Sequence, residues 1–149
     1  MMKILGLDLG TKTLGIAISD ALMIAAHGYE NFTFEKGNYK KAREHVLEIC
    51  KKENIDEIAL GYPLYMSGDI SPRAESTKRF KEDLEKDNPN LKIALVDERM
   101  TTIIANNRLM EANLSHNKRK EVIDKMSAVV ILESYMDQKK GNKLWKNQS

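Results

Sequence analysis

The sequence predicts an α/β domain: a five-stranded mixed sheet, three strands antiparallel and two parallel, flanked by helices. Three observations carry this expectation. Apolar residues alternate with period two through successive stretches near the N-terminus. Helix and strand periodicities then take turns, helix–strand–helix–strand, from Tyr39 to Val96. Helical spacing returns in the last third, with no internal repeat and no linker long enough to divide the chain. A meander followed by right-handed crossovers makes one mixed sheet.

The elements follow in order. In Lys3–Leu9, Leu5, Leu7 and Leu9 form one apolar face, while Ile4, Gly6 and Asp8 form the other. Gly10-Thr11-Lys12-Thr13 reads as a tight turn, and Leu14, Ile16 and Ile18 bring the chain back as Thr13–Asp20. A third strand, His27–Phe34, is carried by Tyr29, Phe32 and Phe34. Ala42, Val46, Ile49 and Cys50 mark a helix over Tyr39–Glu53, closed by Asn54. The strand Ile55–Leu60 ends in Gly61-Tyr62-Pro63, where proline stops pairing.

Leu64–Pro72 lacks periodicity and contains Gly68, so a mobile surface loop is expected, bordering the site as lids do. Ser71-Pro72 fits a cap followed by proline at the first helical position. The helix it opens has a narrow stripe of Ala74, Thr77, Phe80 and Leu84. Leu91–Val96, apolar apart from Lys92, reads as a central parallel strand. Thr101 or Thr102 can cap a helix to about Met110, a loop spans Asn113–Asn117, and Arg119–Gln138 is the last helix. One domain through Gln138 is expected, followed by a basic polar tail, Lys139–Ser149, around Trp145.

Composition excludes some functions and leaves others open. Among 149 residues, 24 Lys+Arg against 22 Asp+Glu give +2, so a nucleic-acid surface must arise from local clustering. No apolar run approaches the roughly 20 residues of a membrane span. The chain enters a strand at once, without a recognisable signal or transit segment. A lone Cys50 excludes an intramolecular disulfide and fits a reducing cytoplasm. His27, His45 and His116 have no partner at metal-ligand spacing and read as bystanders.

Acids at unusual places carry the chemistry. Asp8 lies in a strand otherwise built for a core, where a carboxylate must be paired, protonated or bound to a metal. The alternative is a strand-end cap on the Gly10 turn. Asp97-Glu98-Arg99 directly follows another strand, at the carboxyl edge where ligands bind in such sheets. On the last helix, Asp124 shares a face with Ala128, Ile131 and Tyr135. It can equally complement the helix dipole near the N-terminus. If the three meet, they form an oxygen-ligand set suited to Mg²⁺ or Mn²⁺ and to phosphodiester chemistry.

Four blocks resemble the YqgF family: Gly6-Leu7-Asp8-Leu9-Gly10-Thr11-Lys12-Thr13 with Gly15; Gly61-Tyr62-Pro63 with Met66-Ser67-Gly68; Asp97-Glu98-Arg99-Met100-Thr101-Thr102; and Asp124-Lys125-Met126-Ser127-Ala128. They fall in the family's order and reach to about Gln138. Tyr62, where the family more often has Leu, and Ser127, in place of a usual Ala, are mild departures. The resemblance implies an RNase H-like fold and a metal-dependent nuclease acting on the 5′ end of pre-16S ribosomal RNA, in a family also described as Holliday junction resolvases. It implies Asp8, Glu98 and Asp124 as catalytic and metal-binding acids, with Asp97 an alternate for Glu98. Lys12 and Arg99 are candidates for phosphate, and Lys118, Arg119 and Lys120 for the nucleic-acid backbone. Each of these cations can instead be a solvated charge. The implied partners are pre-rRNA, branched DNA or ribosomal particles, with no membrane.

Two other classes compete. Asp8-Leu9-Gly10-Thr11-Lys12-Thr13 also resembles the phosphate loop of actin-like and sugar kinases. Those enzymes close two such domains on ATP, and this chain supplies one without a second such loop. A non-catalytic nucleic-acid or ribosome-associated module is the other reading, and the retained acids argue against it.

Overall fold

A computed structural model of the chain describes residues 3–99, 104, 107, 108 and 125–140. The strands are β1 (Ile4–Leu9), β2 (Thr13–Ser19), β3 (Ala26–Thr33), β4 (Glu57–Tyr62) and β5 (Lys92–Asp97), with helices α1 (Tyr39–Glu53) and α2 (Pro72–Asp87). Residues 125–140 form a further helical stretch. The sheet order is β3-β2-β1-β4-β5. β1, β2 and β3 pair antiparallel in sequence, and β4 and β5 continue parallel to β1. This is the mixed sheet expected from the sequence.

The alternation in β1 divides the core into two layers. Leu5, Leu7 and Leu9 pack with Ala42, Val46 and Ile49 of α1 and Phe80 and Leu84 of α2. On the opposite face, Ile4, Ala17, Ala59 and Val96 lie under Ala128, Ile131, Leu132 and Tyr135. That face is built from small residues, and the helix comes close to it. A Cβ on Gly6 would stand 2.7 Å from Leu132 Cβ and 2.8 Å from the Ala128 carbonyl oxygen. Glycine at position 6 therefore lets helix and sheet backbones meet.

Several boundaries move for local reasons. β4 begins at Glu57 rather than Ile55, because Ile55 completes the end of α1. Asn54 is left-handed (φ 58°), and the Ile55 N–H bonds the Cys50 carbonyl at 2.8 Å. Gly61 and Tyr62 also belong to β4, because they pair with Val96 and Asp97 of β5, which runs on through Asp97. The expectation that Leu91–Val96 is central is overturned. β5 is at the edge of the described sheet, with Leu95 partly exposed. Within β5 only Val96 is buried, Ile93 and Ala94 are partly covered, and an apolar run by itself cannot tell an edge strand from a central one.

Residues 64–70 are a surface segment beside the acids, with pairing of its own. Leu64 pairs antiparallel with Ile70, and the Tyr65 N–H reaches the Asp69 carbonyl. Gly68, at φ +93°, supplies the backbone that closes this small hairpin. Ser71 caps α2 by accepting from the Ala74 N–H at 3.1 Å, and its hydroxyl donates to the Pro63 carbonyl.

The last helix continues two residues beyond Gln138. Lys139 bonds Glu57 at 2.7 Å and lies over the Tyr135 ring, while the Tyr135 hydroxyl also donates to Glu57. The loop Asn113–Asn117 and the start of the last helix lie outside the described residues, as does most of the expected Thr101–Met110 helix. Residues 104, 107 and 108 are helical. Among the described residues, no helix is long and apolar enough to cross a membrane.

Candidate active site

Asp8 follows Gly6 by two residues, so strand alternation turns it to the same small-residue face. Leu7 stands opposite Leu60 in β4, and one residue further brings Asp8 beside Gly61. Glu98 comes directly off β5, its N–H bonded to the Tyr62 carbonyl at 3.3 Å. Its carboxyl lies over Gly61, where a Cβ would stand 2.8 Å from Glu98 Oε2. The missing side chain at position 61 is the space in which Glu98 rests.

Asp8 and Glu98 meet there and share a hydrogen bond. Burial pushes the Glu98 carboxyl up, to about 9. The negative charge of Asp8 adds to the rise, Arg73 opposes it, and the hydrogen bond with Asp8 and the charge of Asp97 add further. Glu98 Oε1 is buried without a hydrogen-bond partner among the described residues. A buried oxygen without a donor, next to a second carboxyl on a face of small residues, fits a hard divalent cation. Asp8 and Glu98 are the described side chains that could hold one. Among the described residues there is no group of three or more His, Cys, Asp or Glu side chains around one point. Asp124 lies outside the described residues, as do Lys118, Arg119 and Lys120.

The adjacent acids part ways. Asp97 turns outward and binds Arg99, with Arg99 Nη2 at 2.6 Å and Nε at 2.8 Å from Oδ2. Side-chain hydrogen bonding from Arg99 holds Asp97 below the usual carboxylate range, burial opposes it, and the Arg99 N–H and charge lower it further. Arg99 is thus engaged by Asp97, and its Nη1 reaches the Met66 carbonyl at 3.4 Å, tying β5 to the hairpin. Lys12 is exposed on the β1–β2 turn, and its carbonyl accepts from the Phe34 N–H. His45 pairs with Glu30 at 2.6 Å and stacks on Phe32, remote in sequence from every acid at the site.

Arg73 was missed by sequence reasoning. Its Nη2 donates to the Leu9 carbonyl at 2.8 Å and stands 3.7 Å from Asp8 Oδ1. A signal existed: a cation in the first turn of α2 opposes the helix dipole. A local choice against propensity often marks a site whose gain lies elsewhere.

The chain is similar to known proteins along nearly its whole length. A family model described as RuvX, Holliday junction resolvase, matches residues 2–138. A Geobacillus sp. (strain WCH70) protein provisionally named pre-16S rRNA nuclease is 45% identical over 138 residues, covering 93% of this chain and 99% of its own. A Bacillus subtilis protein of the same name is 44% identical over 136 residues, covering 91% and 98%. Among solved structures, the fowlpox virus Holliday junction resolvase aligns with a TM-score of 0.58 at 18% identity, over 92% of this chain and 99% of that one. Thermus thermophilus RuvC, in complex with a Holliday junction substrate, aligns at 0.57 with 13% identity, over 92% and 97%. These two likenesses concern the fold, whereas the family match and the close relatives span nearly the whole sequence. The chain belongs to the RuvX (YqgF) family of RNase H-like nucleases.

Proposed function

We propose that this nuclease cuts structured RNA at the 5′ end of pre-16S ribosomal RNA in the cytoplasm, using Mg²⁺ or Mn²⁺ held by Asp8, Glu98 and Asp124. The observation that carries the proposal is the buried Asp8–Glu98 carboxyl pair with its partnerless Glu98 oxygen. Asp124 is included from the sequence: it precedes by four residues Ala128, whose carbonyl lies against Gly6. The names of the close relatives support the RNA substrate, and ribosomal particles are the setting in which such RNA occurs.

When bound, the divalent cation supplies charge neutralisation at the phosphate and activation of water. The chain's own residues do the rest. The proton shared by Asp8 and Glu98 must leave before both carboxylates can ligate, so loading is coupled to proton release. Arg73, half exposed and beside Asp8, is placed to turn a guanidinium N–H onto a non-bridging phosphate oxygen. Arg99 stays with Asp97 and steadies the hairpin, which makes it a positioning residue in this scheme. Lys12 and the run Lys118, Arg119 and Lys120 are proposed to meet the backbone of the nucleic acid away from the acids.

The test is Asp8→Asn, a near-isosteric change, assayed on pre-16S RNA fragments and on four-way DNA junctions with Mg²⁺ or Mn²⁺. Cleavage of RNA should fall at least about 100-fold, because ligand geometry and water activation fail together, while thermal stability should be kept. Unchanged cleavage by Asp8→Asn refutes the assignment of the acids. Junction cleavage by the parent with inert RNA would move the substrate to branched DNA, as the family's description suggests.

A further inference from the structure

Beside the acids, the hairpin of residues 64–70 forms one wall of an open hollow of about 370 Å³. It is lined by Pro63, Leu64, Tyr65, Ser71, Pro72 and Arg73. The wall is mostly apolar, and the Ser71 hydroxyl in it already donates to the Pro63 carbonyl, which leaves the Tyr65 phenol as the other hydroxyl of the lining. Tyr65 is 54% exposed at the rim, an unusual position for an aromatic ring with no ring partner among the described residues. Arg73 closes the inner end, and its guanidinium is the group that stands 3.7 Å from Asp8.

An apolar floor, a free aromatic face and a single guanidinium leading to the catalytic acids make a complementary set. We infer that this hollow holds an unpaired nucleotide next to the scissile phosphate, with its base stacked on Tyr65 and its phosphate on Arg73. The inference rests on the nuclease reading and adds a preference. A base inside an intact duplex has both faces covered by its neighbours and cannot offer one to Tyr65, whereas a loop, bulge or junction nucleotide can. Every base has a π-face, so stacking on the Tyr65 ring should be tolerant of sequence. The hairpin is held at the correct height by Arg99 on the Met66 carbonyl and by Ser71 on Pro63.

The experiment uses the full chain in chelator, so that binding is read without cleavage. Short RNA and DNA strands of one sequence carry a single 2-aminopurine, and each is also presented as an uninterrupted duplex. The parent should bind the single strands and change the fluorescence of the probe, and should leave the fluorescence of the duplex probe as it is without protein. Tyr65→Ala should bind the single strands about tenfold more weakly, since a stacked base is worth ~1–3 kcal/mol. Tyr65→Phe should restore binding and the fluorescence change, because the ring face is what acts. Both variants should melt with the parent, as the side chain is exposed. The inference is overturned if the parent fails to bind the single strands or to change their fluorescence, if Tyr65→Ala binds them as the parent does, or if it weakens duplex binding equally. Retained stacking together with full cleavage by Asp8→Asn would overturn the acid assignment and leave this site standing.

Discussion

Replacing Gly61 by alanine tests how the fold places Glu98. A Cβ built at position 61 would stand 2.5 Å from Ile131 Cδ1, 2.8 Å from Glu98 Oε2 and 3.0 Å from Glu98 Cδ. Ordinary carbon contacts need about 3.5 Å, so all three must move. Ile131 can swing a terminal methyl aside. Glu98 must withdraw its carboxyl by roughly 0.5–1 Å, and catalytic groups tolerate only about 0.5 Å. A displacement of that size costs on the order of 10- to 100-fold in rate. Overpacking should remove about 1–3 kcal/mol of stability, lowering Tm by roughly 2–4 °C for each kcal/mol in a chain of this size.

The assay is single-turnover cleavage at saturating Mg²⁺, paired with thermal melting in the same buffer. Two other glycines bracket the result. Gly28→Ala meets only Lys125, at 3.7 Å, and should change neither rate nor Tm. Gly6→Ala meets the Ala128 carbonyl at 2.8 Å, which no side-chain rotation relieves, and should cost the most stability. Parent-like cleavage by Gly61→Ala would refute the reasoning that the empty space at position 61 positions Glu98. So would a loss of rate fully explained by unfolding at the assay temperature.

Other consequences concern protons and the thiol. The folded Glu98 carboxyl lies above its ordinary 4.5, at about 9, so between these values the folded chain holds a proton that the unfolded chain has released. Its stabilisation is full below the lower value and is lost as pH rises through the upper one. Melting of the metal-free protein should therefore fall with pH across that window, and Asp8→Asn should flatten the slope by removing the neighbouring charge. Equal slopes in the two proteins would exclude the pair as the cause. Cys50 is buried, and burial, reinforced by the charge of Asp56, pushes its thiol up to about 11. It should react with an aromatic disulfide reagent only in denaturant, and prompt reaction of the native protein would contradict that burial.

Local periodicity made much of this protein legible. The leucines of β1 and the helical spacing of Ala42, Val46, Ile49 and Cys50 announced strands, helices and the faces that bury them, because side-chain direction follows from backbone period. The same rule set Asp8 among small residues before any fold was known. Register and distance were not legible. A strand slipped by one residue exchanges its faces. Whether Asp97 or Glu98 entered the site therefore depended on β5 running through Asp97, paired opposite Tyr62 of β4. The hairpin of residues 64–70 has no period to betray it, since its shape comes from Gly68, one bridge and the tie to Arg99. Arg73 and Asp8 are 65 residues apart in sequence and 3.7 Å apart in space. Sequence determined which residues could do chemistry, and the packing of α2 and β5 against β1 and β4 decided which of them meet, because contacts between distant segments depend on the whole chain's closure rather than on any local propensity.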